Sequence, residues 1–406
     1  MIIEKLSEWN PWWENPQPIE ELRGRNRPAY AHLVNSINIK EITIITGVRR
    51  SGKSTLMYQM IDNLLKNGLI YSSYKESINP DKKSYIFIDE IHKKEGWESW
   101  IRKKYDLKSE EKFIISGSCS YLLKKEYSTL LTGRNLTFEV FPLSFEEFLL
   151  FNNIIVNKDN LKKGIMLEKT KFIILNYLQE YLTLGGFPEV VFKQKEYKIK
   201  LLEQYFDDIL YKDIVDRYNL NSQKTKDIAL FFITNIAGLI SLRNIRNSLK
   251  ISYDTTKDYL SHFKEAFLFF TLDHFSYSFK EQKTHASKIY CIDNGLRNAV
   301  SFKFSKDEGK LIENLVFIEL KRKRSSIYYW KKSSEVDFII KNKDNSLSAI
   351  NVSYTDEIKE REIKALLDFK KEFKSKAGEL IILTKNIEKR ENEIYFIPLW
   401  KWLLNK

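Results

Sequence analysis

The nine residues Gly47–Thr55, GVRRSGKST, constrain this chain more than any other stretch. A short apolar run, EITIIT over Glu41–Thr46, precedes them, and an apolar, helix-periodic segment runs from Lys53 to about Lys66. The pattern G-x-x-x-x-G-K-[ST] between a strand and a helix is a phosphate cradle. Its glycines let the loop wrap closely, so that its amides point at phosphate oxygens. The helix that follows turns its positive N-terminus to the same place. The expected nucleotide-binding set is Gly47, Val48, Arg49, Arg50, Ser51, Gly52, Lys53, Ser54 and Thr55. Lys53 would neutralise the β and γ phosphates and Ser54 would hold Mg2+. ATP and Mg2+ are therefore the expected ligands, and the fold class is α/β with a P-loop NTPase core.

A second buried strand is expected in SYIFIDEIHK, Ser84–Lys93, ending in Asp89 and Glu90. Asp89 is the second metal residue, and Glu90 the group that polarises attacking water. An acid pair argues for hydrolysis rather than transfer to another substrate. A third strand is expected in EKFIISGSCSYLL, Glu111–Leu123. Ser116 at its end would sense the γ-phosphate or align water, and Ser118 is placed to serve instead. A role in turning the chain suits both serines equally. Arg134 follows Gly133 in a loop beside this region. It would meet transferring phosphate charge from its own subunit or a neighbour's, and a structural arginine fits equally. Arg49 and Arg50 are ambiguous in the same way. Glu90, Lys53, Ser116 and Arg134 are the catalytic candidates.

Composition narrows the setting. Of 406 residues, 43% are hydrophobic and 30% charged, which excludes a disordered chain and leaves room for two or three domains. The formal net charge of +13 favours a polyanionic partner, nucleic acid before an anionic membrane. Lysine-rich composition as simple solvation accounts for the same number. Two cysteines, Cys119 and Cys291, exclude a thiolate metal cluster or a disulfide scaffold. The five histidines lack ligand spacing. The start, MIIEKLSEWN, has acids where a signal peptide needs a basic region, and no apolar run is long enough to span a bilayer. A cytoplasmic protein without integral membrane association is expected.

Asn152–Tyr218 reads as mostly helix, interrupted at LGGFPEV, where Gly185, Gly186 and Pro188 require a rigid turn. Asp208 with Lys212, and Asp213 with Arg217, are i,i+4 pairs of a solvated helix. Three further helices are expected at Ser222–Ala237, Ser241–Leu249 and Ser252–Phe269. Two short strands, FFTLDHFSY and KIYCID, then flank a basic loop. That order resembles a winged helix. Tyr259, Leu260, Phe263 and Phe267 recur with core spacing on its third helix, while Tyr253, Thr256, Lys257, Ser261 and Lys264 fall elsewhere on the wheel. In a DNA reader that helix enters the major groove and the wing meets phosphate. Asp254, Asp258 and Glu265 oppose this, and Arg243, Arg246 and Lys250 on the preceding helix partly redress it.

The C-terminal region reads as a helix, Gly309–Lys323, followed by three strands at Ile327–Trp330, VDFII and LSAINVS. A strand bearing an acid, a turn and a returning strand is half of a metal-dependent nuclease site. Glu313 and Asp337 would face a common pocket. A working site also wants an acid at 351 and a lysine at 353, since paired carboxylates hold the metal and the lysine stabilises developing charge. Those positions are Asn351 and Ser353. Asn351 offers at most a neutral oxygen and Ser353 no cation, so an inactive nuclease-type fold is expected. Lys343 and Lys359 are candidates to take over the lysine role. Lys321, Arg322, Lys323, Arg324, Lys331 and Lys332 would track a phosphodiester backbone or form a solvated rim.

The motifs GVRRSGKST, IFIDEIH, IISGSCSYLL, LTGR, FPLSFEEFL, LGGFPEV and EVDFII run from about residue 40 to 354. With them the chain resembles the archaeal and bacterial AAA-type ATPase family whose C-terminal region resembles PD-(D/E)XK nucleases. NPWW, Asn10–Trp13, fits the family's opening. The resemblance implies ATP binding and hydrolysis by the P-loop and acid pair, with the glycine–arginine element serving the nucleotide site. The expected architecture is an N-terminal extension (1–38), an AAA-type ATPase core (39–150) and a helical segment completing the ATPase region (151–220). A winged-helix domain (221–295) and a restriction-endonuclease-like α/β domain (296–406) follow. The expected partners are double-stranded DNA, or instead a protein client or further copies of the chain.

Overall fold

The computed structural model describes residues 20–66, 84–94, 96–107, 111–118, 131–301, 308–323 and 325–404. Asn10–Trp13, Cys119 and Arg324 lie outside them, as does the Arg243 side chain. The chain divides into two compact units, Met1–Val140 and Phe141–Lys406. Among the described residues no helix is long and apolar enough to cross a membrane.

The first unit is built on four parallel strands: β1 (Ile42–Thr46), β2 (Ser84–Ile88), β3 (Glu111–Gly117) and β4 (Asn135–Glu139), in the order β2-β3-β1-β4. Every residue of β1 is buried, as a central parallel strand covered on both faces requires. Strand alternation sends Ile45 and Ile114 to one face, with Leu56, Met57 and Met60 of the helix Lys53–Lys66. Ile42, Ile44, Phe113 and Ile115 face the other, with Trp97 and Ile101 of the helix Trp97–Asp106. β4 was not expected from sequence. Its residues NLTFE bury only Phe138 well and leave Leu136 exposed, a pattern that reads as loop until the edge of the sheet is known.

The second unit begins with the helix Phe145–Phe151, whose N-terminus carries a reciprocal Ser144–Glu147 capping box. The helices Glu168–Leu184 and Lys195–Asp208 follow. The expected Lys212–Asp208 pair forms at 2.7 Å. The chain there is not a plain solvated helix, however, because Ile209–Val215 is a π-helix that buries Asp213. The helices Ser222–Thr234, Leu242–Leu249 and Tyr253–Glu265 lead into β5 (Phe269–Leu272) and β6 (Lys288–Cys291), which pair antiparallel. The loop between these strands contains the helix Phe279–Thr284. Residues 237–240 extend the pairing on the other side of β6, through Ala237 N–H to Ile289 O and Ile240 N–H to Ser287 O. On the third helix Thr256 is buried rather than outward, and Lys264 Nζ donates to Thr271 Oγ1.

The helix Glu308–Arg322 then precedes β7 (Ser326–Lys331), β8 (Glu335–Lys341), β9 (Leu347–Ser353), β10 (Ala377–Thr384), β11 (Lys389–Glu391) and β12 (Ile394–Pro398). They form one sheet in the order β11-β12-β10-β9-β8-β7. The β7, β8 and β9 pairings are antiparallel, and β10 runs parallel to β9 and β12. Leu366 and Phe369 of the helix Glu360–Phe373 pack into its core with Trp330, Ile339 and Ile382.

Three motifs with no place in the nucleotide chemistry meet inside this unit. Asp293 caps the helix Asn294–Val300 by accepting from Gly295 and Leu296, and also accepts from Gly186 N–H at 2.7 Å. Gly186 O in turn accepts from Leu143 N–H at 2.6 Å, and Leu143 O accepts from Tyr181 Oη at 2.6 Å. Gly185 has φ 73°, and a Cβ there would stand 1.8 Å from Asp293 Oδ1. FPLSFEEFL, LGGFPEV and IDNGL are thus three sides of one internal joint.

Candidate functional site

β1 delivers its chain directly into the glycine loop. Gly47 has φ 146°, and a Cβ added there would stand 2.1 Å from Val140 O, so only glycine lets the loop leave the strand here. Arg50 and Gly52 also adopt positive φ. Arg27, absent from the sequence expectations, is buried and donates from Nη1 to Ser51 O at 2.8 Å while its guanidinium lies 4.7 Å from the Tyr30 ring centroid. It braces the loop from the preceding segment. Only its arginine type hinted at this, since nothing in its spacing ties it to Ser51.

Lys53 is buried, and its Nζ donates to Gly47 O at 3.1 Å and Val48 O at 3.0 Å. The ammonium therefore lies inside the curl of the loop. Ser54 Oγ donates to Asp89 Oδ2 at 2.5 Å, joining residues that lie on different elements. Ser116 Oγ donates to Asp89 Oδ1, and Glu90 N–H donates to Ser116 Oγ at 3.2 Å. The strand order explains the meeting. β3 lies between β1 and β2, so the end of β3 presents Ser116 between the loop and the acid pair.

Glu90 sits in the left-handed region at φ 50°, which turns the chain sharply after β2. Its carboxylate faces Lys93, with which it forms an ion pair, and Arg49 Nη1 at 3.9 Å. Burial raises its pKa, but the Lys93 hydrogen bond and charge, with Arg49 behind them, leave it below the ordinary carboxylate range. It is ionised at neutral pH, as a proton acceptor must be. Tyr58, one turn beyond Ser54, has its phenol pushed up by burial and then by the Asp89 charge.

The donor set fits a magnesium nucleotide. Among the described residues no group of three or more acids, histidines or cysteines converges to hold a metal. Magnesium bound to a nucleotide needs only one or two protein oxygens beside phosphate and water, and Ser54 with Asp89 supplies those. Among the described residues the buried Ser51 Oγ has no hydrogen-bond partner.

Arg134 is not brought to this centre within the chain. Its carbonyl accepts from Ile42 N–H at 2.8 Å, at the start of β1, whereas the glycine loop leaves the end of that strand. The two points are separated by about 13 Å of strand. Its guanidinium is spread over Asp106, with Nε 2.8 Å from Oδ1 and Nη2 3.4 Å from Oδ2. Ser118 is buried just beyond the end of β3 that bears Ser116.

The second unit gathers the acids expected at a nuclease-type centre, but with a different cation. Glu313 and Asp337 both lie on Lys288 Nζ, at 3.0 and 3.3 Å, and Glu335 joins them at 2.9 Å. Neither Lys343 nor Lys359 takes the place; the cation comes from β6. Asn351 Oδ1 accepts from Asp337 N–H at 3.1 Å and its Nδ2 donates to Glu362 Oε2 at 3.1 Å, so it braces the strands. Ser353 Oγ lies 3.5 Å from Thr355 Oγ1. Much of the expected basic track is engaged inside the unit. Arg322 donates to Pro142 O at 2.8 Å, Lys331 pairs with Glu335, and Lys332 with Glu372.

Residues 39–149 match the family model described as an AAA domain. Residues 175–307 and 308–402 match two domains of unknown function, DUF8612 and DUF4143. The uncharacterized protein MJ1544 of Methanocaldococcus jannaschii is 35% identical over 401 residues, covering 90% of this chain and 88% of that one. An uncharacterized protein of Haemophilus influenzae is 30% identical over 395 residues, covering 89% of this chain and 94% of its own.

Proposed function

We propose, for a chain that belongs to the family of AAA-domain proteins these two relatives represent, that it binds ATP with magnesium and hydrolyses it. The observation that carries this reading is the meeting of Ser54, at the start of the helix after the glycine loop, with Asp89 and Ser116 at the ends of two adjacent parallel strands, while the Lys53 ammonium lies inside the loop. The loop amides and Lys53 hold the phosphates and stabilise charge that develops on them. Ser54 and Asp89 hold magnesium, which when bound polarises the phosphate oxygens. Glu90 accepts the proton of the attacking water, and Ser116 keeps Asp89 and the Glu90 backbone in register. Titration with a non-hydrolysable ATP analogue tests the binding step. Saturable binding by wild type that Lys53→Ala loses supports it; equal binding by that variant contradicts it.

The nucleotide state of the first unit then sets what the second unit engages. For the second unit we favour a winged-helix segment over residues 221–295 and an inactive nuclease-like domain over 296–406, with duplex DNA as partner. The support is the formal charge of +13 and the exposed Tyr253, which carries the Lys257 ammonium 4.1 Å from its ring centroid on the third helix. Duplex binding that weakens steeply with salt and is reduced in Lys257→Ala supports this partner. Absence of duplex binding at low salt directs the reading to a protein client.

A further inference from the structure

The acidic cluster of the second unit has its own chemistry. Lys288 is almost completely buried at the start of β6, and its ammonium meets three carboxylates from two other elements. Glu313 comes from the helix Glu308–Arg322. Glu335 and Asp337 lie two residues apart on β8 and so share a face. Tyr290, two residues beyond Lys288, donates its hydroxyl to Glu313 Oε1 at 2.7 Å. Asp337 Oδ2 is engaged separately by Val352 N–H at 3.0 Å. One buried cation thus faces three acids whose free charges would repel strongly in a shielded site.

The three distances suit a hydrogen-bonded ammonium. Carboxylate oxygens stand 2.9 to 3.3 Å from the nitrogen, hydrogen-bond lengths for a charged pair. A magnesium ion draws its oxygens to about 2.1 Å. We propose that the Lys288 ammonium is the built-in cation of this domain, standing where a nuclease-type centre would hold its divalent ion. The acids are assembled by the chain itself, and a divalent ion is excluded because its place is filled. The inference deepens the nuclease-like reading of this domain and rests on it, while the nucleotide centre of the first unit plays no part.

Manganese binding to the full chain without nucleotide, followed by electron paramagnetic resonance, tests it. Wild type is expected to show no manganese site that depends on Asp337. Lys288→Met is expected to gain one ion per chain, lost again when Asp337→Asn is added. An Asp337-dependent site in wild type overturns the proposal, as does a folded Lys288→Met that gains no ion. If Lys288→Met does not fold alone, refolding it with and without manganese decides: recovery only with the ion supports the proposal, and failure in both overturns it. Cutting of duplex DNA by wild type, lost in Asp337→Asn, would instead defeat the inactive-nuclease reading.

Discussion

Ser54 and Asp89, which open a helix and follow a strand respectively, are joined by an Oγ–Oδ2 hydrogen bond of 2.5 Å. That bond couples the two expected magnesium ligands. Ser54→Ala and Asp89→Asn are each expected to weaken the magnesium dependence of nucleotide binding while leaving magnesium-free binding largely intact. Titration of analogue with and without magnesium reads this directly. Loss of binding equally in both conditions would assign the pair a structural role.

Gly47→Ala is expected to displace the loop from Val140. Both its φ of 146° and the 2.1 Å approach of a Cβ to Val140 O oppose the substitution. A cost of about 1–3 kcal/mol follows for a strained backbone at this site, with nucleotide affinity lost. Thermal unfolding and analogue titration check the two effects. Wild-type binding would show that the loop leaves β1 by another route.

Burial, opposed by the backbone hydrogen bonds from Gly186, Gly295 and Leu296, pushes the Asp293 carboxyl up to about 6 from its ordinary 3.8. The folded state then holds this proton more tightly than the unfolded chain between those values. Stability from this group is therefore largest at low pH and declines as pH rises from about 4 to 6, by about 3 kcal/mol. Asp293→Asn is expected to remove that pH dependence. It also places an amide against one of the N–H groups now accepted by a carboxylate, which costs about 1–3 kcal/mol. Unfolding in denaturant across this pH range measures both. An unchanged pH slope in the variant would remove Asp293 from the account.

Arg134 is held by Asp106 at the end of β1 remote from the loop, so any reach to phosphate comes from another copy of the chain. Arg134→Ala is expected to leave the hydrolysis rate of dilute protein unchanged. A loss that appears only as concentration rises marks action between subunits. A loss at every concentration would contradict the remote placement.

The nucleotide centre was legible because its chemistry is local. A loop of fixed spacing and an acid pair ending an apolar strand announce themselves, and the chain closes them by placing β3 between β1 and β2. The helix and strands around Glu313 and Asp337 were legible for the same reason. Lys288 was not, since in SKIYCID it reads as the last basic residue of a loop. The available signal was its two-residue spacing from Tyr290 at the head of an apolar run, which puts both on one face of a buried strand. Which end of the sheet Arg134 meets was not legible, because a glycine–arginine pair does not carry that information. The π-helix that buries Asp213 leaves no trace in a pattern of i,i+4 charges.

The most direct test is steady-state ATP hydrolysis with magnesium by wild type and Glu90→Gln, measured alongside analogue binding. Glu90 remains charged through neutral pH, held below the ordinary carboxylate range by Lys93 and Arg49 against the effect of burial. Its removal as a proton acceptor is expected to lower the rate by about 10²–10⁴-fold while analogue binding persists. Hydrolysis in Glu90→Gln at the wild-type rate, or none in wild type under any magnesium concentration, would contradict the account.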